Sequence, residues 1–191
     1  MYAERAEKAL LNHHHIPPSA RSKLYTIDLH LRANAGYLSV IRFNCNMKGV
    51  YVIIIRLDNA AMICIGKLGK YHFKKGFYAY IGSARGTGGF KRVSRHFDVA
   101  SGKNRTRKWH IDHLLPYSTV ECAVLLPVDD DLECDIATII GEFSVPIPDF
   151  GCSDCNCRTH LYFNTEDWGE KILKACNDRL NIESIIIYPN M

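Results

Sequence analysis

The chain has 191 residues, 47% of them hydrophobic and 23% charged, which is the composition of a folded globular protein with one main core and excludes a largely disordered one. Its longest apolar run, VYVIII at 50–55, falls well short of the roughly 20 residues a membrane-spanning helix needs; with no secretion signal ahead of that run, no membrane partner and a cytoplasmic location are expected. A net charge of +4 is too small to identify a nucleic-acid partner, so the placement of charge matters more than its sum.

Residues 2–12 hold helix formers with Ala6, Leu10 and Leu11 at helical spacing, and Pro17 and Pro18 break that stretch. His13, His14 and His15 read either as a surface run or as a metal patch. From 24 to 44 the alternation in LYTIDLHL and YLSVIRF suggests two strands. Residues 1–46 are taken as an N-terminal extension and 47–191 as the main domain. That domain should open with a strand over 49–57, a turn at Asp58 and Asn59 and a strand over 60–66, together read as a hairpin. A short segment at 71–74 and the strand FYAYIG at 77–82 follow. The lysine of GKLG lacks the glycine spacing of a phosphate loop. Beyond the loop SARGTGG, FKRVSRHFDVA reads as a helix with Phe90, Val93 and Phe97 on its buried side and Arg92, Arg95 and His96 around the rest. WHIDHLLPY is expected to be a short helix ended by Pro116, and VECAVLLPV a strand. DLECDIATIIGEF should be a helix whose acidic first turn suits the helix dipole. A loop through His160, a strand LYF, a helix from about Thr165 to Asn177 and a last strand ESIIIY complete the pattern.

Residues 78–97, YAYIGSARGTGGFKRVSRHF, run from an aromatic strand through a glycine loop into an arginine-bearing helix, an order that suits phosphate chemistry. Tyr51, near the start of the upstream strand, should converge with Tyr80 and Arg92. Arg85, Lys91, Arg92, Arg95, Lys103, Arg105, Arg107 and Lys108 cluster beside the loop, opposed only by Asp98, whereas 129–135 is acidic. The cluster reads as a nucleic-acid surface or as a solvated face. Among the cysteines, Cys45, Cys64, Cys122, Cys134 and Cys176 stand isolated among apolar neighbours and read as core residues. CSDCNCRTH at 152–160 offers Cys152, Cys155, Cys157 and His160, enough soft ligands for a tetrahedral zinc site, with a structural loop of free thiols as the other reading.

GVY followed by YIG, then GSA and KRVSRHF, resembles the GIY-YIG nuclease superfamily, and the longer motifs KGVY, GKLG, GFYAYIGSARGTGGF, RVSRH, KWHIDHLL and FGCSDCNCRTHL, in this order, resemble one branch of it. The likeness to the superfamily spans roughly residues 49–142. It is nearest to a largely uncharacterised, mainly archaeal branch, some members of which are joined to a DNA glycosylase of the endonuclease III type. The resemblance implies an α/β (α+β) fold: a small mixed, largely antiparallel sheet flanked by helices. It also implies cleavage of DNA phosphodiester bonds with one divalent metal, magnesium or manganese, with DNA repair as a context and repair proteins as partners. A non-catalytic nucleic-acid-binding module with the same fold is the alternative.

By the same resemblance Tyr51 is the base or water orienter, a role at neutral pH that a phenol of pKa about 10 fills only if its phenolate is favoured. Tyr80 holds the hydrogen-bond network, Arg92 sits against the scissile phosphate, and His96 shuttles a proton or touches the phosphate. Glu133, preferred over Glu142, is the metal ligand, with an acid that merely favours the helix dipole as the other reading. Arg85, Lys91, Arg95, Arg107, Lys108 and His110 are the expected DNA contacts. His110 and Asp112 can serve DNA contact, support of the arginine helix, or a structural hydrogen bond, and Trp109 is expected in the core before it is expected on a base. The branch keeps the counterparts of Cys155, Cys157 and His160 but often has serine at the Cys152 position, which leaves those three as zinc ligands; Asp154 and His160 facing the cleft is the other reading. The long separation of Tyr51 from Tyr80 implies a hairpin inserted between the motif strands, and no counterpart of a downstream asparagine is evident.

Overall fold

The computed structural model describes residues 26–32, 38–44, 47–153 and 155–189; the expected N-terminal helix, the three adjacent histidines, Cys45 and Asp154 lie outside them. The chain divides into two compact units, Met1–Cys45 and Asn46–Met191. In the first, β1 (Thr26–Arg32) and β2 (Leu38–Asn44) pair antiparallel, with Thr26 opposite Asn44 and Arg32 opposite Leu38.

The second unit runs β3 (Val50–Leu57), β4 (Ala61–Cys64), β5 (Lys70–Phe73), β6 (Gly76–Ser83), α1 (Lys91–Ala100), α2 (Ile111–Leu114), β7 (Thr119–Leu126), α3 (Glu133–Gly141), β8 (Val145–Pro146), β9 (Leu161–Asn164), α4 (Gly169–Leu180) and β10 (Ile185–Ile187). Six strands form one sheet in the order β10-β7-β3-β6-β9-β8, and each neighbouring pair is antiparallel. This is the α+β, largely antiparallel architecture the resemblance implies. Among the described residues no helix is long and apolar enough to cross a membrane.

β3 is central because its sequence, VYVIIIRL, is rich in β-branched side chains and apolar on both faces, which suits a strand covered on both sides. Side chains alternate across the sheet, so the strand sorts its residues into two sets. Val50, Val52 and Ile54 join Ala79, Ile81 and Val124 under Ile136 and Ile140 of α3 and Ile172 and Cys176 of α4. Burying such a side chain contributes roughly 1.5–3 kcal/mol. Tyr51 and Tyr80 point the other way, where both rings meet His96 of α1.

Several expectations need correction. The strand after β3 does not fold back on it: β4 pairs with β5 in a separate two-stranded ribbon, Ala61 opposite Phe73. Gly66 at φ +49° and Gly69 at φ +88° take the left-handed conformations that let the chain reverse between them. On α1 the buried residues are Val93, His96 and Val99, while Phe97 is only partly covered. A polar ring takes the inner position because both its nitrogens find partners there, which removes most of the cost of burial. The short α-helix stops at Leu114, ahead of Pro116, as expected; a 3-10 turn, Leu115–Tyr117, then carries the proline in its first turn, where its missing N–H is not needed. α4 runs on to Leu180 and ends at Asn181, which adopts φ +52° as a left-handed cap. Cys122 and Cys176 are buried as expected, but Cys64 and Cys134 are exposed. The two-residue strand β8 is too short to leave a periodic signal.

Candidate functional site

The two glycines of the motif strands are there for space. Gly82 lies opposite Tyr51 in the β3–β6 pairing, and a Cβ on it would stand 2.5 Å from both Cζ and Oη of Tyr51. The tyrosine ring therefore lies across β6 where any other residue would obstruct it. A Cβ on Gly49 would meet the Phe90 ring at 2.7 Å and run into the carbonyl of Leu126.

Laid across the sheet, Tyr51 reaches α1. Its hydroxyl is 2.9 Å from Nε2 of His96, and Nδ1 of His96 is 3.1 Å from Oδ1 of Asp112 on α2. Asp112 is fully buried and saturated with donors. Its Oδ1 also accepts from Nη1 of Arg95 at 3.0 Å, and its Oδ2 accepts from Nη2 of Arg95 at 2.9 Å and from the backbone N–H groups of Lys108 at 2.8 Å and Trp109 at 3.0 Å. Burial alone would raise its pKa, but the bonds from His96, Arg95 and the two backbone groups outweigh that and hold the carboxyl well below the usual carboxylate range.

These charge states fix the proton positions. Burial pushes the Tyr51 phenol well above its ordinary value, with Tyr80, Glu133 and Asp112 adding to the effect and Arg92 opposing it. Burial likewise lowers His96, and Arg95 and Arg92 lower it further against the pull of Asp112, so the imidazole is neutral. An ionised Asp112 requires the proton of that neutral ring on Nδ1. Nε2 is then an acceptor, and the Tyr51 hydroxyl donates to it.

Arg92 lies on the same helix one turn before His96. Its Nη1 donates to the carbonyl of Ser83 at 2.6 Å, at the end of β6. Its guanidinium also stands 4.7 Å from the centre of the Trp109 ring, joined there by Arg95 at 4.5 Å and Lys108 at 4.9 Å. Trp109 is thus the shared support of three cations, a role beyond the core packing expected for it. Tyr80 packs edge-on against His96 and Phe150, with ring centres 6.4 and 6.2 Å apart. His110 packs edge-on against Phe150 at 6.1 Å.

The expected DNA contacts separate into two groups. Lys91, Arg107 and Lys108 are exposed, as are Lys103 and Arg105. Arg85 is ion-paired with Asp131 at 2.9 Å, and Arg95 is committed to Asp112 and to the carbonyl of Thr106. Of the two candidate metal carboxylates, Glu142 is ion-paired with Arg179, while Glu133 lies 3.8 Å from Nδ1 of His160 and its charge reaches Tyr51. Cys134, Cys155, Cys157 and His160 form a group that could hold a metal ion, their ligand atoms all within 4.8 Å of one another, and Cys134 and Cys157 are joined as a disulfide. Cys152 is not in that group. A surface depression lined by Arg56, Lys75, Phe77 and Thr165 lies at the opposite end of β3 and shares no residue with this constellation.

Residues 50–181 match the family model described as Domain of unknown function DUF123. The chain belongs to that family. No curated protein and no solved structure matches it. The matched span contains Tyr51, Tyr80, Arg92, His96, Asp112, Glu133 and the whole cysteine and histidine group, so the constellation lies within the family domain of this chain and not in the N-terminal unit. Sequence reasoning leaves the role of Asp112 open and misses Cys134. The signal for Asp112 was its place in KWHIDH, where a carboxylate three to four residues past two backbone N–H groups can turn back to bond them.

Proposed function

We propose that the domain is a metal-dependent endonuclease of the GIY-YIG type that hydrolyses phosphodiester bonds in DNA. The observation that carries the proposal is the line from Tyr51 through His96 to Asp112, set beside Arg92. A buried phenol is a poor source of phenolate, but here none is needed beforehand. As the Tyr51 oxygen takes a proton from an attacking water, its own proton passes to Nε2 of His96, and the imidazolium that forms is stabilised by Asp112. Arg92 offers its remaining N–H groups to the phosphate, where a planar cation stabilises the charge of the transition state. The three cations around Trp109 repel one another, and a phosphate among them relieves that repulsion. Glu133, partly exposed at the start of α3, suits a hard cation such as magnesium or manganese that keeps most of its waters and needs only one carboxylate from the protein. Such an ion would supply Lewis-acid polarisation of a phosphoryl oxygen. DNA repair is the context, and repair proteins the partners, that the resemblance suggests.

A second reading, a nucleic-acid-binding module without turnover, is favoured by one observation: Tyr51 and His96 are 1% and 0% exposed, which closes the acid–base pair to bulk water. Labelled branched, flapped, damaged and plain duplex DNA, incubated with magnesium or manganese, separates the two. Cleavage by the wild type, lost in Arg92→Ala with the circular dichroism unchanged, supports the nuclease. Full activity in Arg92→Ala removes the assignment, and salt-sensitive binding without cleavage by the wild type selects the module.

A further inference from the structure

We infer that in the reduced protein Cys134, Cys155, Cys157 and His160 bind one zinc ion, at ligands distinct from Tyr51, His96 and Arg92 but bordering the proposed catalytic site through Glu133, and with a binding readout that does not depend on whether that site turns over. Three features argue for it. The four ligand atoms lie within 4.8 Å of one another although Cys134 comes from the first turn of α3 and the others from the loop before β9. Chance rarely collects three sulfurs and an imidazole from two distant segments. The distances suit the ion as well: a tetrahedron with zinc–sulfur bonds of about 2.3 Å and a zinc–nitrogen bond of about 2.0 Å has a sulfur–nitrogen edge of about 3.5 Å, and Sγ of Cys155 stands 3.5 Å from Nε2 of His160. The histidine is also prepared for the role. With Nε2 toward the sulfurs, its Nδ1 faces Oε2 of Glu133 at 3.8 Å, and a carboxylate behind a ligating imidazole sets its tautomer and raises its basicity.

The Cys134–Cys157 disulfide and the zinc site use the same sulfurs and exclude each other. Zinc takes two thiolates where the disulfide leaves none. A peroxide interconverts the two forms in one direction: the thiolates give two electrons, the sulfur–sulfur bond forms, hydrogen peroxide takes those electrons and two protons to become two waters, and zinc is released. His160 connects the site to the motif strands, since its carbonyl accepts from the backbone N–H of Ile81 at 2.9 Å.

The test is metal analysis of the full chain, purified with a phosphine reductant and no chelator, followed by cobalt substitution. The expected result is about one equivalent of zinc and a cobalt spectrum of tetrahedral thiolate type. Cys134→Ser should lose at least tenfold in zinc affinity by competition with a chromophoric chelator, Glu133→Gln should lose about 10-fold to 100-fold with the same cobalt spectrum, and Cys152→Ser should match the wild type. Hydrogen peroxide should release the zinc together with loss of two free thiols. A reduced wild type that takes up neither zinc nor cobalt overturns the inference whatever the variants do. So does a Cys134→Ser protein that binds as tightly as the wild type, or a Cys152→Ser protein that loses the metal.

Discussion

Replacing Asp112 by asparagine keeps the shape of the buried side chain and removes its charge. An amide has one acceptor oxygen where the carboxylate has two, so the NH₂ group must face one of the two donor sets. Facing the Oδ2 set would oppose Arg95 and two backbone N–H groups; facing the Oδ1 set opposes only Arg95 and His96. The second is cheaper, because His96 can move its proton to Nε2 and accept from the amide. The net loss is then about one charge-assisted bond with Arg95 plus the weakening of the rest, about 3 kcal/mol. The change also reverses the Tyr51 bond, since an Nε2–H must donate to the hydroxyl and can no longer take its proton. If the proposed nuclease activity holds, cleavage should fall by about 10³-fold to 10⁴-fold, the usual consequence of a histidine held in the wrong tautomer. Urea unfolding gives the stability term, nitrogen-15 shifts of His96 give the tautomer, and single-turnover cleavage gives the rate. The pH dependence has a definite sign. A folded-state pKa below that of the unfolded chain contributes stability that is full above about pH 3.9 and is lost as pH falls through the folded value. The gap between wild type and variant should therefore narrow in acid. A stability change under about 1 kcal/mol, with the proton still on Nδ1, would refute the reasoning.

Gly82→Ala should cost about 1–3 kcal/mol by forcing the new methyl against the Tyr51 ring, and most of that cost should vanish in the Tyr51→Leu background; equal costs in both backgrounds would show that the ring does not cross β6 there. His96 has a lowered pKa in the folded state, so the unfolded chain binds more protons and stability falls as pH drops from about 6.5 toward the folded value, by up to about 1.4 kcal/mol per pH unit. His96→Gln should reduce that slope, and His110, which burial and His113 also lower, keeps its own share. For DNA binding, Arg107→Ala and Lys103→Ala together should reduce the slope of log affinity against log salt by about 0.9 for each phosphate that is no longer neutralised, uniformly across sequences; an unchanged slope would place the DNA elsewhere.

The central sheet was legible in the sequence because its strands carry their own evidence: VYVIII, which follows Gly49, and FYAYIG, which follows Gly76 and ends in Gly82, are rich in β-branched or aromatic residues. What they pair with is less local. The segment after β3 looks like a hairpin partner because neighbouring strands usually pair, yet two left-handed glycines further on give β4 a partner of its own in β5. The arginine helix shows the same limit. A wheel of apolar residues puts Phe97 inside, and the inner place goes to His96 because Asp112 and Tyr51, 16 residues later and 45 earlier, satisfy both nitrogens. Local pattern marks a polar residue as outward until its distant partners are known. Cys134 escaped for a related reason: it stands alone in its helix, and its sulfur neighbours come from a loop a separation of 23 residues away.

The candidate site has two halves of different origin, and α3 is where they meet. One half is strand and helix: Tyr51, Tyr80, Arg92 and His96, placed by the pairing of β3 with β6 and the packing of α1. The other is the loop before β9, which is tied to β6 through the Ile81 and His160 backbones and to Tyr80 through the Phe150 ring. Glu133 and Cys134 are adjacent in the first turn of α3, one facing His160 and the other bonded to Cys157. The sulfur group thereby fixes the end of the helix that presents the carboxylate. Under the proposed function that carboxylate holds a metal and gains from such a tether, because a helix terminus is otherwise the part of a helix most free to fray.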